Sequence, residues 1–453
     1  MSNVIKINRG VDIKLIGEAE KKFASPTPIE TAALKPDDFH GVRMKLAARE
    51  GDEVKAGTPL FFNKDDEQVK FCSPVSGEVA QVVRGAKRRI LEVRVLADKE
   101  TRYEDFSAAD PAALNREEIV KKLAASGCWP FFRQRPYNIV AETNKEPKAI
   151  FISGFDSAPL APDLGLLLEG QEKEFQAGIN ALSQLTSGKI HLGLNAKETP
   201  AKIFTETEGV TITRYDGPHP AGVVGVHIAQ IDPINKGETV WTITPEHVVI
   251  IGRLFLTGKF DARINIALTG SEIKERKYHQ TILGAPVKHF VEGNITEGNK
   301  RIITGNVLTG TKITEEGYLG FYERQVTVLP EGDEPELFGW LIPKADKFSI
   351  SRTLPSWFMR KLGEVKYRLD TKKNGERRAF VVTGQYEKVF PFDIYPVQLL
   401  KSIITKDIDG MENLGIYEVV EEDFALCEVV CTSKTPVQSI VREGLDLMKK
   451  ELG

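Results

Sequence analysis

The chain of 453 residues has few cysteines and no long hydrophobic run. Its thiols are those of Cys72, Cys128, Cys427 and Cys431. So few cysteines in a chain of this length form no disulfide framework and suit a reducing cytoplasm. The best candidate for a membrane span, Val248-Val-Ile-Ile-Gly-Arg-Leu-Phe-Leu256, is shorter than the roughly 20 apolar residues required and contains Arg253. We therefore expect that the chain does not cross a membrane by itself.

The sequence also lacks a strong net charge, a secretory signal and the common catalytic motifs. With 61 basic and 64 acidic residues its formal net charge is −3, which gives no general attraction to nucleic acid or anionic lipid. The first ten residues contain no apolar segment of a signal peptide. No Walker loop, HExxH sequence, EF-hand loop or Ser/His/Asp order is present. These absences argue against nucleic-acid binding, secretion, NTP hydrolysis and zinc proteolysis.

Residues 1–100 alternate valine-rich segments with turn sequences. The segments Glu50-Gly-Asp-Glu-Val-Lys-Ala-Gly-Thr-Pro-Leu60 and Ser73-Pro-Val-Ser-Gly-Glu-Val79 resemble the two halves of a biotinyl/lipoyl-like barrel-sandwich domain. In carrier proteins of that fold, a modified lysine lies on a hairpin between the halves. Here that region offers Lys64 and Lys70 without the usual Met-Lys-Met sequence. We predict a structural β-module, with a carrier domain as the alternative.

Residues 101–255 alternate helical and strand patterns, which is typical of α/β domains with a parallel sheet. Asn115 and Glu118 form a capping-box sequence, and Gly127 ends the helix that they begin. Residues 256–330 return to strands and glycine turns, and residues 331–453 form a mixed linker and a helical end. There, Thr435-Pro436-Val437-Gln438 is interpreted as a second capping box.

Several segments resemble the A subunits of Na⁺-translocating NADH:quinone oxidoreductases, in the same order and over almost the whole chain. They are Phe155-Asp-Ser-Ala-Pro-Leu-Ala-Pro-Asp163, Gly217-Pro-His-Pro-Ala-Gly222, Phe338-Gly-Trp-Leu-Ile-Pro343 with Asp346-Lys-Phe-Ser349, and Ala425-Leu-Cys-Glu-Val-Val-Cys431. The resemblance implies a peripheral subunit on the cytoplasmic side of the bacterial inner membrane, bound chiefly to the membrane-embedded B subunit. The implied complex oxidises NADH, reduces ubiquinone and exports Na⁺, with its flavins and iron–sulfur centre on other subunits. The chain would then be an enzyme only as part of that complex.

The domain order also resembles that of the C subunit of Rnf-type complexes and of the NADH-binding flavoprotein of complex I. In those proteins a Rossmann-like FMN domain precedes a small β-grasp module and a helical iron–sulfur domain. We therefore expect a multidomain α/β and α+β protein. Its domains would be a barrel-sandwich domain at 1–100, a Rossmann-like domain at 101–255, an SLBB-like β-grasp domain at 256–330, and a linker with a ferredoxin-like helical domain at 331–453.

The flavin-binding loop of these relatives has been replaced. Where they carry a Gly-x-Gly-Gly-x-Gly-Phe-Pro type of loop, this chain has Gly127-Cys-Trp-Pro-Phe-Phe-Arg-Gln-Arg-Pro-Tyr137. Glycines let backbone N–H groups approach a flavin phosphate, whereas Trp129, Phe131 and Phe132 would fill that volume. The acidic turn after the next strand becomes Asp156-Ser-Ala-Pro159. We expect that neither FMN nor NADH binds here in the relatives' manner.

The ferredoxin-like cluster ligands have been lost as well, since a cubane needs four thiolates. Aligned on Cys431, the resemblance places one ligand set at Glu421, Phe424, Cys427 and Cys431. The other set falls on Phe380, Thr383, Tyr386 and the Phe390 that precedes Pro391. We expect no cluster and no metal, with Cys427 and Cys431 as metal ligands being the rival interpretation.

The replaced loop and one histidine are the candidate site for quinone or for another subunit. A quinone headgroup needs flat apolar walls and donors to its carbonyls, and these residue types supply both. The candidates are Trp129, Phe131, Phe132, Arg133, Arg135, Tyr137 and His219. Plain packing is the alternative for the loop, and a structural hydrogen bond for His219. We interpret His40 as a turn histidine and Lys87-Arg-Arg89 as a solvated hairpin tip, with a docking contact to a partner or to lipid headgroups as the alternative for the latter.

Two other functions stay open. One is a catalytic flavoprotein that binds FMN and NADH, which a yellow chromophore in the purified chain would indicate. The other is an assembly scaffold without a ligand, which would show no change in tryptophan fluorescence on addition of quinone.

Overall fold

The computed structural model describes residues 4–333, 347–350, 358 and 365–453. The segment 338–343 and residue Asp346, which contributed to the family resemblance, lie outside the described residues, as does most of the predicted linker.

The N-terminal part of the chain forms two antiparallel sheets. One has the strand order β2-β8-β7-β4 and the other the order β3-β5-β6. Their strands are β2 (Thr31–Leu34), β3 (Met44–Leu46), β4 (Glu53–Val54), β5 (Pro59–Asn63), β6 (Lys70–Cys72), β7 (Gly77–Arg84) and β8 (Ile90–Ala97). The inward-facing residues Val79, Val93 and Val95 are fully buried between the sheets. This arrangement agrees with the predicted barrel-sandwich fold.

The second part forms a seven-stranded sheet in the order β1-β13-β12-β11-β14-β9-β10. The five strands β1, β13, β12, β11 and β14 pair in parallel with their neighbours. Strand β9 pairs antiparallel with β14, and β10 pairs antiparallel with β9. The strands are β1 (Val4–Lys6), β9 (Arg133–Arg135), β10 (Ile139–Val140), β11 (Ala149–Ser153), β12 (Lys189–Asn195), β13 (Thr211–Asp216) and β14 (Val240–Thr242). The N-terminal strand β1 thus belongs to the α/β sheet, although it precedes the barrel-sandwich in the chain.

Helices cover both faces of this parallel sheet. They are α1 (Arg116–Ser126), α2 (Leu164–Leu167), α3 (Glu172–Ser183), α4 (Lys202–Thr205), α5 (Val224–Ile231) and α6 (Pro245–Thr257). The capping box of Asn115 and Glu118 is present at the start of α1, and Gly127 ends that helix with φ 83°. The left-handed backbone there suits glycine because it has no Cβ.

The third part is a mixed five-stranded sheet in the order β16-β15-β19-β17-β18, with β15 and β19 parallel at its centre. Its elements are β15 (Arg263–Thr269), β16 (Tyr278–Ile282), α7 (Lys288–Val291), β17 (Lys300–Thr304), β18 (Thr311–Ile313) and β19 (Gln325–Pro330). The last part is helical, with α8 (Pro396–Thr405), α9 (Ile408–Asn413), α10 (Ala425–Val430) and α11 (Val437–Leu452). The order of domain types agrees with the sequence prediction, while their exact boundaries stay a prediction.

The second capping box was predicted wrongly. Helix α11 begins at Val437, with Pro436 as its N-cap and no side-chain cap. The free amide of Gln438 instead donates to the Glu428 carboxylate at 3.0 Å. A neighbouring helix therefore supplies the acceptor that Thr435 was expected to provide.

Two large hydrophobic cores hold the parts together. One joins the barrel-sandwich and β-grasp sheets to one face of the α/β sheet. The other joins the opposite side of the α/β part to the C-terminal helices. In the described residues, no helix has both the length and the apolar character needed to cross a membrane.

Candidate functional site at the junction of the domains

A cavity of about 400 Å³ lies where all four parts of the chain meet. The barrel-sandwich part contributes Asp38 and His40, and the α/β part contributes Phe131, Arg133, Arg135, Asp156 and His219. The β-grasp part contributes Tyr322, Glu323 and Arg324, and the C-terminal helical part contributes Glu421 and Glu422. The volume falls in the range that holds small-molecule ligands in proteins.

Strand β9 carries two of the predicted site residues into this cavity. It pairs with β14 so that Arg133 lies opposite Thr242 and Arg135 opposite Val240. Because side chains alternate along a strand, Arg133 and Arg135 lie on the same face of the sheet. Phe131, Arg133, Arg135 and His219 therefore line one cavity, although His219 is far away in the sequence.

Three other predicted residues, Trp129, Phe132 and Tyr137, do not line it. Trp129 and Phe132 are fully buried, and the Trp129 indole N–H donates to the Ala141 carbonyl at 2.7 Å. The Trp129 ring meets the Trp241 ring edge-on at 5.3 Å between centroids. Tyr137 is buried against Tyr417. These contacts are those of core packing.

Phe131 forms an apolar wall of the cavity. Its ring stacks on His247 at 4.2 Å with an interplanar angle of 10°. Burial lowers the pKa of His247 to about 3, so the imidazole is neutral at physiological pH. The Phe131 ring also lies 5.4 Å from that of Phe321. The wall is therefore a stack of uncharged rings.

Arg133 supplies a guanidinium group without a charged partner at contact distance. It lies over the Tyr322 ring, 5.1 Å from the ring centroid, and makes no side-chain hydrogen bond or ion pair with the described residues. The Tyr322 hydroxyl is fixed because it donates to the Pro130 carbonyl at 2.6 Å. A cation held by an aromatic face keeps its N–H donors for a ligand.

Arg135 has a different role, since it forms a buried ion pair. Its Nη1 lies 2.9 Å from Asp423 Oδ2, and both side chains are almost completely buried. Burial raises the pKa of Asp423, an effect that the Arg135 guanidinium partly offsets. Gly225 in α5 leaves room for the pair, because a Cβ there would lie 2.1 Å from Asp423 Oδ1. The pair ties the α/β sheet to the C-terminal helices.

His219 offers a second donor. Its Nδ1 lies 3.0 Å from the Ser157 hydroxyl oxygen, which also accepts from the Gly222 amide at 2.8 Å. If the hydroxyl donates to Nδ1, the neutral imidazole carries its proton on Nε2. Burial lowers the pKa of His219, which keeps it neutral. In the described part of the chain Nε2 has no hydrogen-bond partner.

Other domains bring to the cavity residues that the sequence did not predict. Arg324 pairs with Asp156 at 2.9 Å, and its charge holds the pKa of that carboxyl low against the opposing effect of burial. Burial raises the pKa of Glu323 to about 7, with Asp38 and Glu422 adding to the effect. No short-range pattern links these positions to residues 127–137. Among these residues, only Asp156 could be placed near the site from the sequence, because it lies in the turn after strand β11.

We expect Glu323 to make stability depend on pH. Its folded pKa of about 7 lies above its ordinary 4.5, so the folded protein keeps a proton that the unfolded chain releases. This contribution to stability is full below pH 4.5 and is lost as the pH rises to about 7, on the order of 2 kcal/mol. Glu323→Gln should remove that loss in denaturant unfolding at pH 5 and 8. The exposed Glu315→Gln is the control. If the free energy of unfolding of Glu323→Gln falls between pH 5 and 8 as much as that of the parent protein, the prediction is wrong.

The residues do not fit a flavin or an iron–sulfur cluster of the kind that the related folds bind. In the segment that the sequence resemblance aligns with a flavin loop, the Trp129 and Phe132 side chains are fully buried. At the positions that the resemblance assigns to cluster ligands, Phe424 is fully buried with its ring 4.6 Å from that of Phe390, and Glu421 accepts from Asn138 at 2.8 Å. Within the described ranges no group of three or more potential ligands could hold a metal ion.

The remaining sequence candidates lie outside this site or at its rim. His40 lies in a turn, as predicted, and lines the cavity. Residues 87–89 lie at the tip between β7 and β8, where Arg89 pairs with Asp37. Lys64 is exposed after β5, and Lys70 lies 4.9 Å from the Phe62 ring centroid. The four cysteines are free and buried.

Three family models match the chain in order. They are the NqrA N-terminal barrel-sandwich hybrid domain over residues 5–98, the NqrA second alpha/beta domain over 114–260 and the NQRA C-terminal domain over 265–315. A chain of the crystal structure of NAD⁺-reducing NiFe hydrogenase in the H2-reduced state is also similar, at 11% identity. That match has a TM-score of 0.40 and covers 76% of this chain and 64% of the other.

The chain is similar to named relatives over its whole length. The A subunit of the Na(+)-translocating NADH-quinone reductase of Neisseria meningitidis serogroup A is 37% identical over 454 residues, with 99% of this chain and 100% of the relative covered. The corresponding A subunits of Serratia proteamaculans and of Haemophilus influenzae (strain 86-028NP) are each 36% identical with the same coverage. This chain therefore belongs to the family of the A subunits of the Na⁺-translocating NADH-quinone reductase.

Proposed function

We propose that this chain is a peripheral subunit of a respiratory Na⁺-translocating NADH:ubiquinone reductase and that its junction cavity contacts ubiquinone. The names of its relatives support membership in such a complex. We place it on the cytoplasmic side of the inner membrane, docked chiefly on the membrane-embedded B subunit. The flavins and iron–sulfur centre would belong to other subunits, because the residues here fit neither group.

The observation that carries the quinone proposal is the pairing of a flat apolar wall with two unengaged donors. The rings of Phe131 and Phe321 line the cavity and give this wall an apolar character against which a headgroup can pack. The Arg133 guanidinium and the His219 Nε2–H can donate to its carbonyl oxygens. These hydrogen bonds strengthen as a carbonyl oxygen gains electron density on reduction. The electrons themselves would come from redox centres elsewhere in the complex.

Glu323 adds a group that exchanges protons near neutral pH. It lines the same cavity, and its pKa of about 7 leaves it partly protonated under physiological conditions. Reduction of a quinone to a quinol takes up two electrons and two protons. A carboxyl group with this pKa can pass a proton at little cost in driving force.

Changing Arg133 to Gln in the assembled complex would test the proposal. Loss of one charged hydrogen bond should raise the KM for ubiquinone by about tenfold, since such a bond contributes roughly 1.5–3 kcal/mol. The KM for NADH should stay the same. Exposed Arg49→Gln is the control. An unchanged quinone KM in a correctly assembled Arg133→Gln complex would favour a scaffold without a ligand.

A further inference from the structure

A segment of the C-terminal part, residues 377–384, lies on the surface; it runs without a bend from 377 to 383 and turns at Gly384. It begins within the basic sequence Lys372-Lys-Asn-Gly-Glu-Arg-Arg378, which has four basic residues and one acidic. Val381 and Val382 are 51% and 58% exposed, which is unusual for adjacent aliphatic side chains. Phe380 is half-buried and packs on the Tyr386 ring at 6.0 Å. The two exposed valines therefore lie beside exposed cations and give this segment a mixed apolar and basic surface.

The backbone of this segment lacks hydrogen bonds where its side chains are exposed. In the described part of the chain, the N–H and C=O groups of residues 380–384 have no protein partner. The segment is nevertheless anchored, because the Arg378 amide donates to the Ser433 carbonyl at 2.9 Å. The Ser433 hydroxyl in turn donates to the Ala379 carbonyl at 2.8 Å. The segment is therefore fixed at residues 378–379, and the backbone N–H and C=O groups that follow are available to a partner.

The charges beside this row have no partners. The side chains of Lys373, Arg377 and Arg378 are exposed and form no ion pair with the described residues. Nearby Lys372, by contrast, lies 3.4 Å from Asp370. Three unpaired cations next to a free backbone edge favour an extended acidic peptide, which can satisfy both the charges and the hydrogen bonds.

We propose that residues 377–384 bind an extended acidic segment of another subunit by β-strand addition. The partner would pair its backbone with residues 380–383, pack apolar side chains on Val381 and Val382, and place carboxylates near Arg377 and Arg378. Unpaired strand edges are templates for such pairing. The inference rests on the proposed membership in a multisubunit complex and names the surface that one partner uses.

Hydrogen exchange of the full-length chain, alone and in the purified complex, tests the proposal. In the isolated chain the amides of residues 380–383 should exchange rapidly. In the complex their exchange should slow by about tenfold or more, because they gain backbone acceptors. Rapid exchange in a complex that contains the chain overturns this inference alone. A chain that never associates with the complex overturns the proposed function as well.

The charge of the partner is tested separately. Reversing both arginines (Arg377→Glu with Arg378→Glu) should weaken association with the remaining subunits by about tenfold, since like charges would then meet. The control reverses two exposed lysines on helices of the α/β part, Lys121→Glu with Lys173→Glu. Equal effects of the two pairs would overturn the proposal. So would protection of residues 380–383 by anionic lipid vesicles alone, which would make the occupant a membrane.

Discussion

Asp423→Asn should destabilise the protein by about 3–5 kcal/mol, because it leaves the Arg135 guanidinium buried without a counter-charge. Both side chains of the pair are nearly inaccessible, with the Arg135 Nη1 and Asp423 Oδ2 atoms 2.9 Å apart. Asp423 also accepts from the Val420 amide at 2.8 Å, so the same carboxylate holds the start of the following helical turn. An arginine cannot escape this cost by losing its proton, because a guanidinium group stays protonated in proteins.

Removal of the other partner should cost less. In Arg135→Met, the Asp423 carboxyl can take up a proton, and burial already raises its pKa. We therefore expect a smaller loss that grows as the pH rises, because the carboxyl must then either ionise unpaired or hold its proton against the solution. Denaturant unfolding of both variants and of Arg135→Met with Asp423→Leu measures the asymmetry. Equal losses in the two single variants, or a loss under about 1 kcal/mol in Asp423→Asn, would contradict a buried charge pair of this kind.

Trp129→Ala should destabilise the protein by about 3–5 kcal/mol and leave quinone kinetics unchanged. The indole is fully buried, and its loss opens a void beside Trp241 and Phe132. It also leaves the buried Ala141 carbonyl without its donor. Trp129→Phe, which fills more of the volume, should lose less.

The comparison with Arg133→Gln separates packing from ligand contact. Trp129→Ala should lower the midpoint of unfolding without a change in the KM for ubiquinone, whereas Arg133→Gln should do the reverse. Steady-state kinetics of the assembled complexes, measured below the unfolding range of each variant, distinguish the two effects. A large rise in quinone KM for Trp129→Ala in a folded complex would show that the indole contributes to the site.

Local signals in the sequence predicted the fold well. The capping box at Asn115 and the left-handed Gly127 depend only on neighbouring residues, and both are present. The end of the chain shows the limit of such signals. The acceptor for the Gln438 amide is Glu428, on the preceding helix. A pattern confined to residues 435–438 cannot include that residue, so it assigns the acceptor to Thr435.

The candidate site could be predicted only in part for the same reason. From the sequence alone, residues 127–137 form one aromatic and basic segment. The structure divides them, since β9 turns Arg133 and Arg135 to one face while Trp129 and Phe132 enter the core. That Arg135 would meet Asp423, and that Glu323 would complete the cavity, depends on contacts across some 190 to 290 positions of the chain. No periodicity in the sequence encodes such contacts.

The most direct test of the central claim is photolabelling of the intact complex with a photoreactive ubiquinone, followed by peptide mapping. We predict adducts on this chain at residues that line the junction cavity, in the peptide that contains Phe131 and Arg133 or in the one that contains Glu323. Excess ubiquinone should suppress them. Labelling that is confined to other subunits, in a complex that reduces quinone at its normal rate, would contradict the claim that ubiquinone contacts this chain.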